Sequence, residues 1–225
     1  MAASDSSADG LPPLPLPPSD CSDLDIRIVQ SSQLGPEFAP GQAWFRCGRP
    51  PLNSGILHAG PKYRFDCPVR LDGSARYVVW YGAQTILGAL CEVYGEGRSF
   101  VTLPEREGRG VGAVGWRREL GLVDLRAPAV LGLDLRRNPG LDNRISSDGD
   151  YRLTRAWSDT IRRCNSEVDG LVYFGRKAGE TCLALFHDRC APDLVELGAP
   201  TSLDDPSLDE QWSTFERLIG IRRAY

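Results

Sequence analysis

Hydrophobic positions along the chain change period several times, and each change marks an element. Residues 76–81 (RYVVWY) are β-branched and aromatic, the pattern of a buried strand, and Gly82 is expected to end it. Beyond it Ala83, Ile86, Leu87, Leu90 and Tyr94 recur at i, i+3, i+4, i+7 and i+11, the stripe of an amphipathic helix. The other side of that helix carries Thr85, Gly88 and Ala89 and ends in Glu92, a surface of small residues suited to lining a cleft. Helical spacing returns from Tyr151 to about Cys164, with Leu153, Trp157, Ile161 and Cys164 on one side and Arg155, Arg162 and Arg163 off it. Asp148 or Asp150 is placed to cap it. Two apolar runs follow, 171–174 (LVYF) and 181–186 (TCLALF), and read as a hairpin joined by GRKAGE. Leu208, Trp212, Phe215 and Ile219, behind Pro206, predict a closing helix over about 207–219.

Weaker signals fill the rest. Residues 24–30 suggest a short strand or helix, 100–103 and 122–125 strands, and 128–135 a short helix or turn. Arg46 lies beside two aromatics in QAWFRC, and a Gly/Pro-rich loop leads to Tyr63, Arg64 and Phe65. Gly110, Gly112 and Gly115 match GxGxxG, but the charged EREGR precedes them and another strand follows. The dinucleotide fingerprint needs strand, turn and helix in that order, so this run is expected to be a flexible loop. Strands and helices alternate irregularly, with a hairpin and no repeated βαβ unit. That favours an α+β fold, a mixed or antiparallel sheet with flanking helices, over a doubly wound sheet.

Composition narrows the function. A chain of 225 residues fits one globular domain. Residues 1–22, Ser/Asp-rich and then LPPLPLPP, are expected to be a disordered tail with a polyproline II stretch, leaving 23–225 as the domain. A net charge of −4 argues against a nucleic-acid partner. No apolar run approaches the roughly 20 residues of a membrane span, and the N-terminus shows no signal-peptide pattern. A cytoplasmic protein with reduced thiols is therefore expected. The seven cysteines form no CxxC pair; Cys182, His187 and Cys190 come nearest to a metal pattern but lack the usual zinc spacing, so no metal is expected. His58 and His187, the two histidines, have no nucleophile elbow near them, and no phosphate loop exists.

Five segments, in this order, resemble the RES-domain family, named for its arginine, glutamate and serine. They are RFDCP (64–68), VVWYGAQTILGALCEV (78–93), LVDLRAPAVLGLD (122–134), DYRLTRAWSDTI (150–161) and DGLVYFGRKAGETCLALF (169–186). The likeness spans about 44–189. It implies a fold similar to ADP-ribosyltransferases and a bacterial, NAD-degrading toxin neutralised by a cognate antitoxin protein. Carried over by position, it implies Arg64, Tyr81 and Glu92 as catalytic residues. Arg46, Tyr173, Gly175, Arg176 and Lys177 follow as substrate-binding positions. Relatives usually read tyrosine, any residue, serine, arginine in the hairpin; this chain reads Tyr173, Phe174, Gly175, Arg176. The serine hydroxyl is absent, so either backbone and cations replace it or the site has decayed.

The implied chemistry suits these residue types. Cleaving the nicotinamide–ribose bond of NAD develops positive charge on the sugar, while nicotinamide leaves as a neutral ring, so one carboxylate can suffice where ordinary glycosidases use two. A carboxylate about 4 Å from that charge is worth roughly 4 kcal/mol at an effective dielectric near 20, on the order of a thousandfold in rate. The pyrophosphate asks for bidentate cations, and Arg64, Arg46 and Arg176 can supply them. Tyr81 could stack on a ring or bind a ribose hydroxyl. Inorganic phosphate, water and a protein side chain all remain as acceptors.

Overall fold

A computed structural model describes residues 16–24, 26–53, 62–68, 76–95, 97–126, 145 and 151–224. The predicted 128–135 segment, the helix caps Asp148 and Asp150, His58 and residues 1–15 of the predicted tail lie outside the described residues. The strands are β1 (Val29–Gln30), β2 (Trp44–Gly48), β3 (Val79–Ala83), β4 (Phe100–Val101), β5 (Gly110–Trp116), β6 (Gly121–Asp124), β7 (Gly170–Phe174), β8 (Thr181–Phe186), β9 (Leu194–Glu196), β10 (Thr201–Ser202) and β11 (Arg222–Arg223). The helices are α1 (Ile86–Tyr94), α2 (Leu103–Arg106), α3 (Tyr151–Cys164), α4 (His187–Cys190) and α5 (Asp209–Ile219).

The strands assemble as β1-β6-β7-β8-β3-β2-β5-β10, with β9 also on β5. Within this sheet β6 and β7 run parallel and the other pairs antiparallel. A separate parallel pair joins β4 to β11. This is the α+β architecture that the irregular alternation predicts. The hairpin forms as read, with Tyr173 opposite Cys182 and Phe174 opposite Thr181.

Both faces of the sheet are covered, which is why LVYF and TCLALF are unbroken apolar runs rather than alternating ones. Tyr173, Cys182, Ala184 and Phe186 face one core with Phe65, Leu90, Trp157 and Trp212. Val172, Leu183 and Leu185 face the other, with Phe38, Trp44, Trp80 and Trp116. Each core is anchored by buried tryptophans, the side chains that remove most apolar area from water.

Four expectations need correction. Gly82 does not end the strand but sits inside β3, because the indole of Trp80 lies over it; a Cβ there would meet that ring at 2.3 Å. Consequently Ala83 belongs to the strand, and α1 starts at Ile86 with Thr85 as its cap. The GxGxxG run is no loop but β5, paired with β2 over five residues. Its glycines admit close neighbours: a Cβ would meet Thr201 O at 2.9 Å from Gly110, Leu52 Cδ1 at 3.0 Å from Gly112 and Gln42 O at 3.0 Å from Gly115. The predicted 100–103 strand is only Phe100–Val101, and Leu103 opens α2 behind a Thr102–Glu105 capping box. Finally, Cys21 and Cys164 are joined in a disulfide across 143 residues, while Cys47, Cys67, Cys91, Cys182 and Cys190 are buried free thiols. The turn Cys21–Asp23, which begins within the span 1–22 predicted as tail, is thereby tied to the end of α3.

One feature of the topology opens a cavity. β2 and β3 share a single bridge, Phe45 opposite Ala83, while β2 stays on β5 and β3 on β8 along their lengths. The two strands part beyond that bridge, and the sheet splits there.

Candidate active site

The split leads into a cavity of about 460 Å³ whose walls include Arg46 and Cys47 of β2, Tyr81 and Gly82 of β3, Ala89 and Glu92 of α1, and Tyr173 of β7. Lys62, Tyr63 and Arg64 come from the loop before β3, Tyr151 from α3, and Arg176 and Lys177 from the hairpin connection. Of the residues predicted for the site, Arg46, Arg64, Tyr81, Glu92, Tyr173, Arg176 and Lys177 all line this one cavity, and Gly175 lies against Glu92. The lining also includes Arg98, Glu105 and Arg109, which sequence reasoning missed. Seven of its side chains are Lys or Arg and two are Glu, in a chain of net charge −4. Such an enclosure concentrates anions.

Glu92 is reached through α1. Thr85 caps that helix by accepting the Gly88 N–H at 3.0 Å and donates to the Glu180 carboxylate at the end of the hairpin connection. Gly88 is closely packed here, since a Cβ would meet Ala83 Cβ at 2.9 Å as well as the Glu180 carboxylate. The start of α1 is thus fastened to the hairpin, and two turns later Glu92 Oε2 accepts the Tyr173 hydroxyl at 2.8 Å. Burial raises the Tyr173 pKa well above the usual tyrosine value, with the Glu92 charge adding to the effect, so the phenol stays a donor at neutral pH. The small-residue side of α1 predicted to line a cleft does turn inward, with Gly88 and Ala89 buried, while Ile86 and Leu87 of the predicted stripe are only half-buried. The reason is that α1 is enclosed on more than one side; Tyr94 packs against Trp212 of α5 at 5.9 Å between ring centroids.

Arg64 is 7% exposed and held among aromatic rings, its guanidinium 5.6 Å from the Tyr173 centroid, 5.8 Å from Phe65 and 5.9 Å from Tyr151. Its loop is clamped from two sides. Helix α3 captures the backbone carbonyls: Arg155 Nε donates to Tyr63 O at 2.8 Å, Thr154 Oγ1 to Arg64 O at 2.8 Å and Ser158 Oγ to Phe65 O at 3.0 Å. From inside, buried Asp66 accepts the Lys62 and Tyr63 N–H groups at 2.9 and 2.7 Å and the Tyr81 hydroxyl at 3.0 Å. Asp66 was not singled out in the sequence, although it stands in RFDCP beside Arg64. Tyr81 accepts the Phe65 N–H at 3.0 Å as well, so its hydroxyl is engaged with the loop that carries Arg64 while its ring faces the cavity.

Arg46 stacks on Trp80 at 5.8 Å, and burial lowers its pKa to about 10. Its Nη1 is buried with no hydrogen-bond partner among the described residues. An orphan cationic donor on a cavity wall is costly unless a ligand completes it. At the far end Arg98 pairs with Glu105 at 2.5 Å and stacks on Tyr94.

The Gly175 backbone does not take the place of the family serine. Its φ is not left-handed, and its N–H donates to Glu180 O at 2.8 Å, so that N–H does not face a ligand. What the glycine supplies is space: a Cβ would lie 2.8 Å from Glu92 Oε1 and 3.0 Å from Cys182 Sγ. Among the described residues no three His, Cys, Asp or Glu side chains are grouped to hold a metal.

A family profile described as RES domain matches residues 43–212. The chain belongs to the RES-domain family. The match runs from the start of β2 to Trp212 in α5, and it takes in every wall of the cavity. Among solved structures, the crystal structure of the M. tuberculosis MbcT–MbcA toxin–antitoxin complex is similar, with 13% identity over 88% of this chain and 93% of that chain and a TM-score of 0.47. No curated protein sequence matches the chain.

Proposed function

We propose that this RES-domain chain degrades NAD by breaking the bond between nicotinamide and ribose, with Glu92 as the catalytic carboxylate. The observation that carries the reading is the Tyr173–Glu92 hydrogen bond of 2.8 Å on the wall of a cavity lined by seven cationic side chains. Members of the family are typically NAD-degrading toxins of bacterial toxin–antitoxin pairs, which supports the same substrate. As the glycosidic C–N bond breaks, its electron pair passes to the pyridinium ring, and nicotinamide leaves neutral. Positive charge develops on the ribose, and Glu92 stabilises it. Tyr173 orients that carboxylate and, remaining protonated, adds no competing negative charge. Arg64, Arg46, Arg176 and Lys177 hold the pyrophosphate. Tyr81 and Asp66 keep the Arg64 loop in place. An acceptor oxygen from water, inorganic phosphate or a protein side chain then adds to the sugar and loses its proton.

The test is nicotinamide release from NAD by the purified protein, with the sugar product separating the acceptors: ADP-ribose, its 1-phosphate, or a labelled protein. Glu92→Gln keeps the side chain's size and removes its charge, so turnover should fall by about a hundredfold or more. An unchanged rate in a folded variant refutes the role. A folded wild type that binds NAD without releasing nicotinamide would instead be a binding module. We place the enzyme in the cytoplasm, where its substrate lies and where reducing conditions would hold Cys21 and Cys164 as thiols, and expect an antitoxin protein to restrain it. Expression of wild type alone should arrest bacterial growth, and Glu92→Gln should relieve the arrest.

A further inference from the structure

A second cavity, of about 550 Å³, opens beyond the end of α1. It shares Arg98, Arg176 and Lys177 with the first, so these three cations stand on the boundary between two spaces. Its remaining walls include Gly95 and the apolar Leu218, Ile219 and Ile221. Gly95 lies three residues past Glu92, about 5 Å along the helix axis. Two of the cations are placed by specific contacts. Arg98 is fixed by Glu105 at 2.5 Å, and the stem of Lys177 crosses the bare helix end, where a Cβ on Gly95 would meet Lys177 Cγ at 3.0 Å. A lysine at a helix C-terminus is also favoured by the helix dipole.

A pyrophosphate carries a nucleoside at each end. With one end of the pyrophosphate on Arg176 and Lys177, the two pyrophosphate cations that also line the second cavity, and one ribose at Glu92, the other nucleoside falls in the second cavity. The half-exposed Leu218 side chain there offers an apolar contact to a purine ring. We propose that this second cavity seats the adenylate half of the dinucleotide, which makes the enzyme selective for dinucleotides over mononucleotides carrying the same reactive bond. The proposal rests on the NAD reading.

Leu218 lines only the second cavity and is 52% exposed, so it can be changed without touching the reacting groups or the core. Nicotinamide release should be compared for NAD and nicotinamide mononucleotide in wild type, Leu218→Glu and Leu218→Gln, with melting to confirm folding. Wild type should favour NAD by about a hundredfold in kcat/KM. Leu218→Glu, which sets a carboxylate where the purine would pack, should lower kcat/KM for NAD about tenfold and for the mononucleotide, which shares only a phosphate, by less than about threefold. Leu218→Gln, which removes the apolar contact without adding charge, should lower kcat/KM for NAD about threefold and leave the mononucleotide within about twofold of wild type. Equal wild-type use of the two substrates overturns the proposal, as does a Leu218→Glu effect that is the same on both or absent. If no nicotinamide is released from NAD at all, the NAD reading fails, and the second cavity is judged by calorimetry with AMP. Binding about tenfold weaker in Leu218→Glu then supports an adenylate site, and no binding or equal affinity overturns it.

Discussion

Restoring the family serine at Gly175 should lower activity in this chain, and the structure lets the size of the loss be worked out. A Cβ at that position would lie 2.8 Å from Glu92 Oε1, well inside van der Waals contact, with Cys182 Sγ at 3.0 Å on the other side. Cys182 is buried in β8, so the end of the Glu92 side chain must give way. Moving the carboxylate from about 4 to about 5 Å from the developing charge forfeits about 0.8 kcal/mol at an effective dielectric near 20. The same movement breaks or stretches the Tyr173 hydrogen bond, worth about 1 kcal/mol net. Together about 2 kcal/mol corresponds to roughly a thirtyfold fall in kcat. Stability should change far less, because the displaced group is the tip of a flexible side chain. The assay is nicotinamide release with kcat and KM measured separately, beside thermal melts of both proteins. Gly175→Ala carries the same Cβ without the hydroxyl and should fall by a similar factor. Turnover by Gly175→Ser equal to or above wild type, with an unchanged melt, would refute the steric argument and identify the glycine as a defect.

Arg64→Lys should weaken NAD binding about tenfold, because an ammonium can neither fork onto a pyrophosphate nor stack among Phe65, Tyr151 and Tyr173; equal affinity by calorimetry would make Arg64 structural. Asp66→Ala removes three hydrogen bonds and should cost about 3 kcal/mol by denaturant titration. Burial holds the Asp66 pKa above the ordinary aspartate value, so this group's contribution is greatest in acid and is lost as pH climbs from the ordinary value through the raised one. Wild type should accordingly lose stability relative to Asp66→Asn across that window, and a pH-independent difference would contradict the assignment. Reducing the Cys21–Cys164 disulfide, or Cys21→Ser, should lower stability by about 2–4 kcal/mol, read as a drop in melting temperature; an identical melt with and without reductant would remove it as a structural tie.

What the sequence determined by itself was whatever depends on neighbours a few residues away. Helix α3 and the closing helix α5 follow from their 3.6-residue stripes, and the β7–β8 hairpin from two apolar runs separated by turn residues. The five ordered motifs were enough to place the chain in its family, and the residues carried over from them meet at one cavity. Tertiary structure decided everything that rests on a contact between distant segments. Gly82 reads as a breaker until the Trp80 indole is seen lying over it, and GxGxxG reads as a loop until Leu52, Gln42 and Thr201 are found crowding β5. Asp66 looks like any polar loop residue until its three donors converge on it, and Cys21 and Cys164 become partners only when 143 residues of chain bring them to a Cα separation of 5.0 Å. The role of Gly175 belongs to the same class. A local reading assigns glycine a special backbone angle or a bare N–H, whereas here the N–H is bonded across the hairpin and the missing side chain is room for a carboxylate held on another element. Periodicity records which way a side chain faces, but steric space is set by what folds back against it.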